Sequence, residues 1–231
     1  LMEQSYKGGR DINDREIAHM MIALLMAGQH TSSATGSWAM LRLASRPEII
    51  EELYEEQVRV YSDGAGGFAP LDYDTQKSSV PVLDAVIRET LRMHPPIHSL
   101  MRRVKSDMVV PPTLAAPKTG KGQSTDTYVI PKGHYLVAAP GVSQIDPHVW
   151  CDADKFDPHR WLGDKTLMDQ TDDAQEDFGW GLVSTGANSA YLPFGAGRHR
   201  CIGEQFADLP LGTLTSLLVR MCHGRLGALV P

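Results

Sequence analysis

One run of helical periodicity, from Asn13 to Ser45, sets the architecture. Ile17, Met20, Met21, Leu24, Leu25, Trp38 and Leu41 recur at the spacing of a single long helix. Asn13 and Glu16 can cap its start reciprocally. Ser45-Arg46-Pro47-Glu48 then reads as a capping box with proline in the first turn. It opens a second helix through Ile49, Leu53 and Val58, which Asp63-Gly64-Ala65-Gly66-Gly67 ends. A third helix, about Ser79 to Met93, turns Val82, Leu83, Val86, Ile87 and Leu91 inward and stops at Pro95-Pro96. From Ile97 to Pro140 the pattern changes to short β-branched runs, notably Tyr128-Val129-Ile130 and Tyr135-Leu136-Val137 around Pro131-Lys132-Gly133, which predict a small sheet. Residues 141–200 carry many Gly, Pro and Asp but little periodicity, and a long irregular segment in a compact protein usually carries function. A last helix starts near Cys201. The expected class is mainly α with a small β-sheet.

Composition excludes several alternatives. With 231 residues, 42% of them hydrophobic, the chain can bury one sizeable core. Its formal net charge of -6 gives no general electrostatic reason to bind nucleic acid. Cys151, Cys201 and Cys222 are far apart and odd in number, so neither a disulfide framework nor a zinc site is indicated, and a reducing compartment fits. The longest apolar stretch, Ile17 to Gly28, contains His19 and falls short of the roughly 20 residues of a membrane span. No anchor or signal peptide is expected in this chain. It starts at Leu1, and it reads as a fragment.

The segment most suggestive of chemistry is Phe194-Gly195-Ala196-Gly197-Arg198-His199-Arg200-Cys201-Ile202-Gly203. It sets one cysteine at a helix start behind a glycine-rich, basic turn, a setting that suits a metal ligand or a nucleophile. Gly195, Gly197 and Gly203 remove side chains where a flat cofactor would approach the backbone. A buried cysteine at an ordinary helix start would not explain that density of glycine and arginine.

This segment resembles the haem-binding signature F-x-x-G-x-R-x-C-x-G of the cytochrome P450 superfamily, with Phe194, Gly197, Cys201 and Gly203 matching. His199 stands where arginine is usual, which is similar to the sterol 14α-demethylase branch. The resemblance implies Cys201 as axial thiolate of a haem b iron, Phe194 packed beside the sulfur, and His199 facing a propionate.

Other segments resemble further family signatures in the family's order. Glu89-Thr90-Leu91-Arg92 is E-x-x-R, whose ends share one helix face. Alone it would read as a solvated surface pair. Phe156-Asp157-Pro158-His159-Arg160-Trp161 resembles the segment supplying a second arginine, so the resemblance implies a buried structural network of Glu89, Arg92 and Arg160. Ala27-Gly28-Gln29-His30-Thr31-Ser32 resembles the oxygen-binding motif, in which the helix opens locally and Thr31 helps deliver protons, with His30 in place of the usual acid. A helical glycine costs roughly 1 kcal/mol against alanine, so Gly28 invites a compensating use such as close approach of a ligand. A lone helical histidine is by default a satisfied polar group; its place in the ordered set of motifs is what reverses that reading.

Leu25 to Thr35 and His94 to Arg103 are similar to fungal sterol 14α-demethylases. That resemblance implies that Ala27, Ile97, His98, Ser99, Leu100 and Met101 line a sterol channel and that Arg102 pairs with a propionate. It also implies electrons from NADPH through a reductase, dioxygen as co-substrate, an endoplasmic reticulum membrane location through the absent amino-terminal part, and azole inhibitors. Residues 1–220 are expected to form the carboxyl-terminal part of the domain, with 221–231 an atypical tail, and Pro210 interrupts what should be a smooth helix. Two alternatives remain open: a haem-thiolate monooxygenase for another lipid or xenobiotic, and a non-catalytic fragment unable to retain haem.

Overall fold

A computed structural model describes residues 5, 6, 8–110, 128–162, 175–177, 182–184, 191–196 and 200–223. Helix α1 spans Asp14–Ala44, and Asn13 and Glu16 form the reciprocal cap expected of them. Its buried residues are Thr35, Ala39 and Leu43, all in its carboxyl-terminal half. Met21, Leu24, Leu25, Trp38 and Leu41, apolar and correctly spaced, are instead exposed. Among the described residues, the fully buried side chains of α1 therefore all lie in its second half.

Helix α2, Pro47–Tyr61, has no side-chain cap at its N-terminus, contrary to the capping box expected at Ser45. Ser45 serves the preceding helix instead: it is the C-cap of α1, and its hydroxyl donates to the Arg42 carbonyl at 2.9 Å. A short helix α3, Tyr73–Ser78, which periodicity did not announce, starts at Asp72, whose carboxylate accepts from the Thr75 N–H. Helix α4 runs Pro81–Met93, two residues shorter at its start than expected.

The cap of α4 comes from another element. Glu56 of α2 is buried, and its two carboxylate oxygens accept the N–H groups of Val82 (2.7 Å) and Leu83 (3.0 Å). Burial pushes the Glu56 carboxyl above its ordinary range, while the two N–H donors oppose that. The carboxylate thus satisfies orphan donors at the positive end of α4 and welds two helices.

Leu43 of α1, Ile49, Ile50 and Leu53 of α2, and Leu83, Val86, Ile87 and Leu91 of α4 form the main core with Phe156. Each such side chain contributes about 1.5–3 kcal/mol by leaving water. Helix α6, Glu204–Cys222, adds Leu211 and Val219. It meets α1 closely, since a Cβ on Gly36 would sit 3.7 Å from Leu211 Cδ2.

The strands form nested antiparallel pairs. Strand β1, Leu100–Arg103, pairs with β4, Tyr135–Ala138, and between them β2, Met108–Val110, pairs with β3, Tyr128–Ile130. The turn at Pro131-Lys132-Gly133 places Gly133 at φ +93°, a region open to glycine. A further pair joins β5, Gln175–Asp177, to β6, Leu182–Ser184. Helix α5, Pro140–Ser143, follows β4 and fits under His98, where a Cβ on Gly141 would clash with the imidazole Cδ2. A 3-10 turn covers Pro158–Trp161. The fold is mainly α with a small antiparallel β component, as expected.

Candidate functional site

Glu89 and Arg92, three residues apart on α4, are completely buried. Arg92 grips the carboxylate with two nitrogens, Nε to Oε2 at 2.9 Å and Nη2 to Oε1 at 2.8 Å. Its remaining donors reach the carbonyls of Gln144 (2.8 Å), Ala153 (2.9 Å) and Lys155 (3.0 Å). All five guanidinium N–H groups are thus used. Glu89 also accepts from Arg160 Nε (3.1 Å), the Asp157 N–H (3.0 Å) and Trp161 Nε1 (3.0 Å). A buried ion pair is tolerable only when its lone pairs and protons are satisfied in this way. The structure therefore brings Glu89, Arg92 and Arg160 together. It adds Trp161, from the same segment as Arg160, and Gln144, for which the sequence carries no local signal.

The turn leading to Cys201 leans on this network. Tyr191 packs its ring 4.8 Å from Trp161 and 6.4 Å from Trp150, and its hydroxyl donates to the Arg88 carbonyl at 3.2 Å. Burial holds that phenol well above its ordinary pKa, so it remains a donor. The Leu192 N–H donates to Gln144 Oε1 at 2.8 Å. The Gly195 N–H then donates to the Leu192 carbonyl at 3.1 Å, with Gly195 at φ +73°, a turn geometry that disfavours any residue with a Cβ. Finally, the Cys201 N–H donates to the Phe194 carbonyl at 2.9 Å, closing the loop. Phe194 packs on the core cluster.

Cys201 is exposed, two residues before the Gly203 N-cap of α6, so the helix begins slightly later than expected. Arg200 binds Glu204 through two 2.6 Å hydrogen bonds and so fastens the turn to that helix. Next to Cys201, Ile202 is 92% exposed, and Phe206 is 73% exposed. His199, with Gly197, lies outside the described residues.

On α1, Ala27 and His30 are exposed, and Gly28 and Thr31 are partly buried. The helix is unbroken through this stretch, which differs from the local opening that the family resemblance implies. The Thr31 hydroxyl donates to the Ala27 carbonyl at 2.8 Å, a bond inside one helical turn. Apart from its chain neighbours and its own helix backbone, no described atom lies within 4 Å of a Cβ built on Gly28, so packing against other described elements does not explain that glycine.

The remaining expected residues form an open wall. Ile97, His98, Ser99 and Met101 are exposed, and Leu100 is partly buried. Arg102 is exposed and donates to the Met101 carbonyl at 3.0 Å, with no ion pair among the described residues. A cavity of about 450 Å³ opens beside it, lined by Arg102, Arg103, Lys105, Asp107, Met108 and Leu136 among others.

Comparison with known proteins now fixes the class. The sequence profile of cytochrome P450 matches residues 1–224, and the chain belongs to that family. It is 64% identical to the lanosterol 14-alpha demethylase of Mycosarcoma maydis, over 100% of this chain and 42% of that protein. It is 52% identical to the eburicol 14-alpha-demethylase of Uncinula necator, over 97% of this chain and 40% of that protein. It is also 47% identical to the lanosterol 14-alpha demethylase of Eremothecium gossypii, over 95% of this chain and 38% of that protein. The chain spans about two fifths of the length of these curated relatives.

Family membership implies haem, and the residues present suit it. An exposed thiol at the end of a hydrogen-bonded turn, apolar exposed neighbours, a helical glycine that meets no described side chain and an arginine with no ion pair among the described residues match the needs of a flat, apolar, doubly anionic macrocycle. Among the described residues no helix is long and apolar enough to cross a membrane.

Proposed function

We propose that this chain is part of a haem-thiolate monooxygenase that removes the sterol 14α-methyl group in three successive oxidations. The observation that carries the reading is 64% identity, across the whole chain, to a lanosterol 14-alpha demethylase, with Cys201 displayed at the amino-terminal end of α6. Haem supplies activation of dioxygen when bound, with electrons from NADPH through a reductase.

The chain's own residues have separable tasks. Cys201 holds the iron through its sulfur, and the bond from its N–H to Phe194 fixes where that sulfur stands. Phe194 shields the sulfur, while Gly195 and Gly28 keep backbone and helix face clear for the macrocycle. Arg102 and His199 hold the propionates by charge-assisted hydrogen bonds. Thr31 and His30 would move protons at the Thr31 Oγ1, whose hydroxyl donates to the Ala27 carbonyl in the structure. Ala27, Ile97, His98, Ser99, Leu100 and Met101 line the sterol wall, a mostly apolar surface suited to a rigid sterol with few polar groups. Glu89, Arg92 and Arg160 hold the support behind the cysteine turn. In the whole enzyme this reading includes an endoplasmic reticulum membrane location and inhibition by azoles that ligate the haem iron.

The test is the reduced carbon-monoxide difference spectrum of the purified chain after haem reconstitution, beside Cys201→Ala. A strongly red-shifted Soret band that disappears in the variant supports thiolate ligation by this portion. Its absence from the unaltered chain assigns the activity to a longer protein.

A further inference from the structure

Gln144 is fully buried, yet its side-chain amide is committed on three sides. Nε2 donates to the carbonyls of Leu91 and Arg92, each at 2.9 Å, and Oε1 accepts the Leu192 N–H at 2.8 Å. Its own carbonyl accepts from Arg92 Nη1 at 2.8 Å. Two carbonyls on one side and an N–H on the other permit only one orientation of the amide. The partners come from the end of α4 and from the turn that leads to Cys201, segments about a hundred residues apart in sequence.

We propose that Gln144 is a positioning residue for the cysteine ligand. It fastens the Leu192 N–H to the end of α4; the Leu192 carbonyl holds the Gly195 N–H; and the neighbouring Phe194 carbonyl holds the Cys201 N–H. Three successive hydrogen bonds thus reference the backbone of Cys201 to Gln144, and a fourth, from Gln144 Nε2 to the Arg92 carbonyl, carries the reference to the buried Glu89–Arg92 pair. A glutamate here would turn an oxygen toward two carbonyls, and a methionine would fill the volume while offering neither a donor nor a strong acceptor. The link to haem rests on Cys201 being its ligand, whereas the link from Gln144 to the turn does not.

Gln144→Met and Gln144→Glu test this by amide hydrogen exchange on the unloaded chain, with circular dichroism to check the helices. The expected result for Gln144→Met is roughly tenfold or greater acceleration at the Leu192, Gly195 and Cys201 amides, with the middle of α4 and α2 changed much less. Gln144→Glu keeps an oxygen for Leu192 and is expected to accelerate the same segment through loss of its α4 anchor. If either variant does not fold, the other carries the measurement. Unchanged exchange at these amides, or acceleration spread evenly over α2, α4 and α6, overturns the proposal. On haem-loaded chain at equal haem content, Gln144→Met is expected to lose part of the red-shifted carbon-monoxide band, and an unchanged band likewise overturns it. Failure of the unaltered chain to show that band counts against the functional reading alone, since hydrogen exchange still decides the role of Gln144.

Discussion

Arg92 shows how a single side chain can hold several segments at once. Its guanidinium satisfies the buried Glu89 carboxylate and three carbonyls from residues 144, 153 and 155. Arg92→Ala leaves Glu89 buried with only part of its partners and is expected to cost about 3–5 kcal/mol of unfolding free energy, read from urea midpoints. Arg92→Lys is expected to recover only a minor part, because an ammonium cannot reproduce the fork. His94 is a second such residue. It stacks on Trp38 at 3.8 Å, and its Nε2 faces both Nε (3.1 Å) and Nη2 (2.9 Å) of Arg42. Arginine has only donors, so Nε2 must be the lone-pair nitrogen and the imidazole neutral. Burial, then the charges of Arg42 and Arg92, push its pKa down to about 4. As pH falls from about 6.5 toward 4, the unfolded chain takes up a proton that the folded one refuses, so this group's contribution to stability is lost in that window. His94→Gln, which still accepts from Arg42, should show a shallower fall of Tm between pH 7.5 and 4.5 than the unaltered chain. Parallel falls would refute it.

At the scale of elements, the helices differ in how completely local sequence explains them. Helix α1 carries its own cap at Asn13 and Glu16, while α4 borrows Glu56 from α2. Helix α6 continues through Pro210 despite the missing N–H, and Gln76 of α3 donates to the Asp208 and Leu209 carbonyls beside it. Tertiary packing around Leu211, Thr215 and Val219 outweighs a local penalty of about 3 kcal/mol. Pro210→Ala restores a donor for the Phe206 carbonyl. It is expected to raise stability by about 1–3 kcal/mol in denaturant titrations, with the helix content unchanged.

Across the whole molecule, the largest unbalanced feature is the first half of α1. Met21, Ile22, Leu24, Leu25 and Met26 are 45–68% exposed, so the apolar side chains are not confined to one face. A helix that is apolar all round belongs in an interior, and exposed apolar surface of this kind associates with whatever can cover it. The isolated chain is expected to bind an environment-sensitive apolar dye and to self-associate in sedimentation velocity. Replacing Leu24, Leu25 and Met26 together by glutamine should reduce both, with little change in stability, since all three side chains are exposed.

The sequence alone determined the helices whose signals are local. The Asn13 cap, the stop at Pro95-Pro96 and the α4 periodicity each involve residues within a turn or two of one another. It also made Cys201 and its glycine-rich approach legible as a candidate site, because neighbours in sequence carry that pattern. It misread Ser45, whose hydroxyl had two helices to serve, and it could not tell which face of α1 would be covered. Only the tertiary structure decided that Glu56 caps α4, that Arg42 pairs with a neutral His94, and that Gln144 ties the cysteine turn to α4. These contacts join residues 26 to 53 positions apart in the chain, and what selects them is the cost of burying an unpaired polar group, which becomes defined only once the core has closed around it.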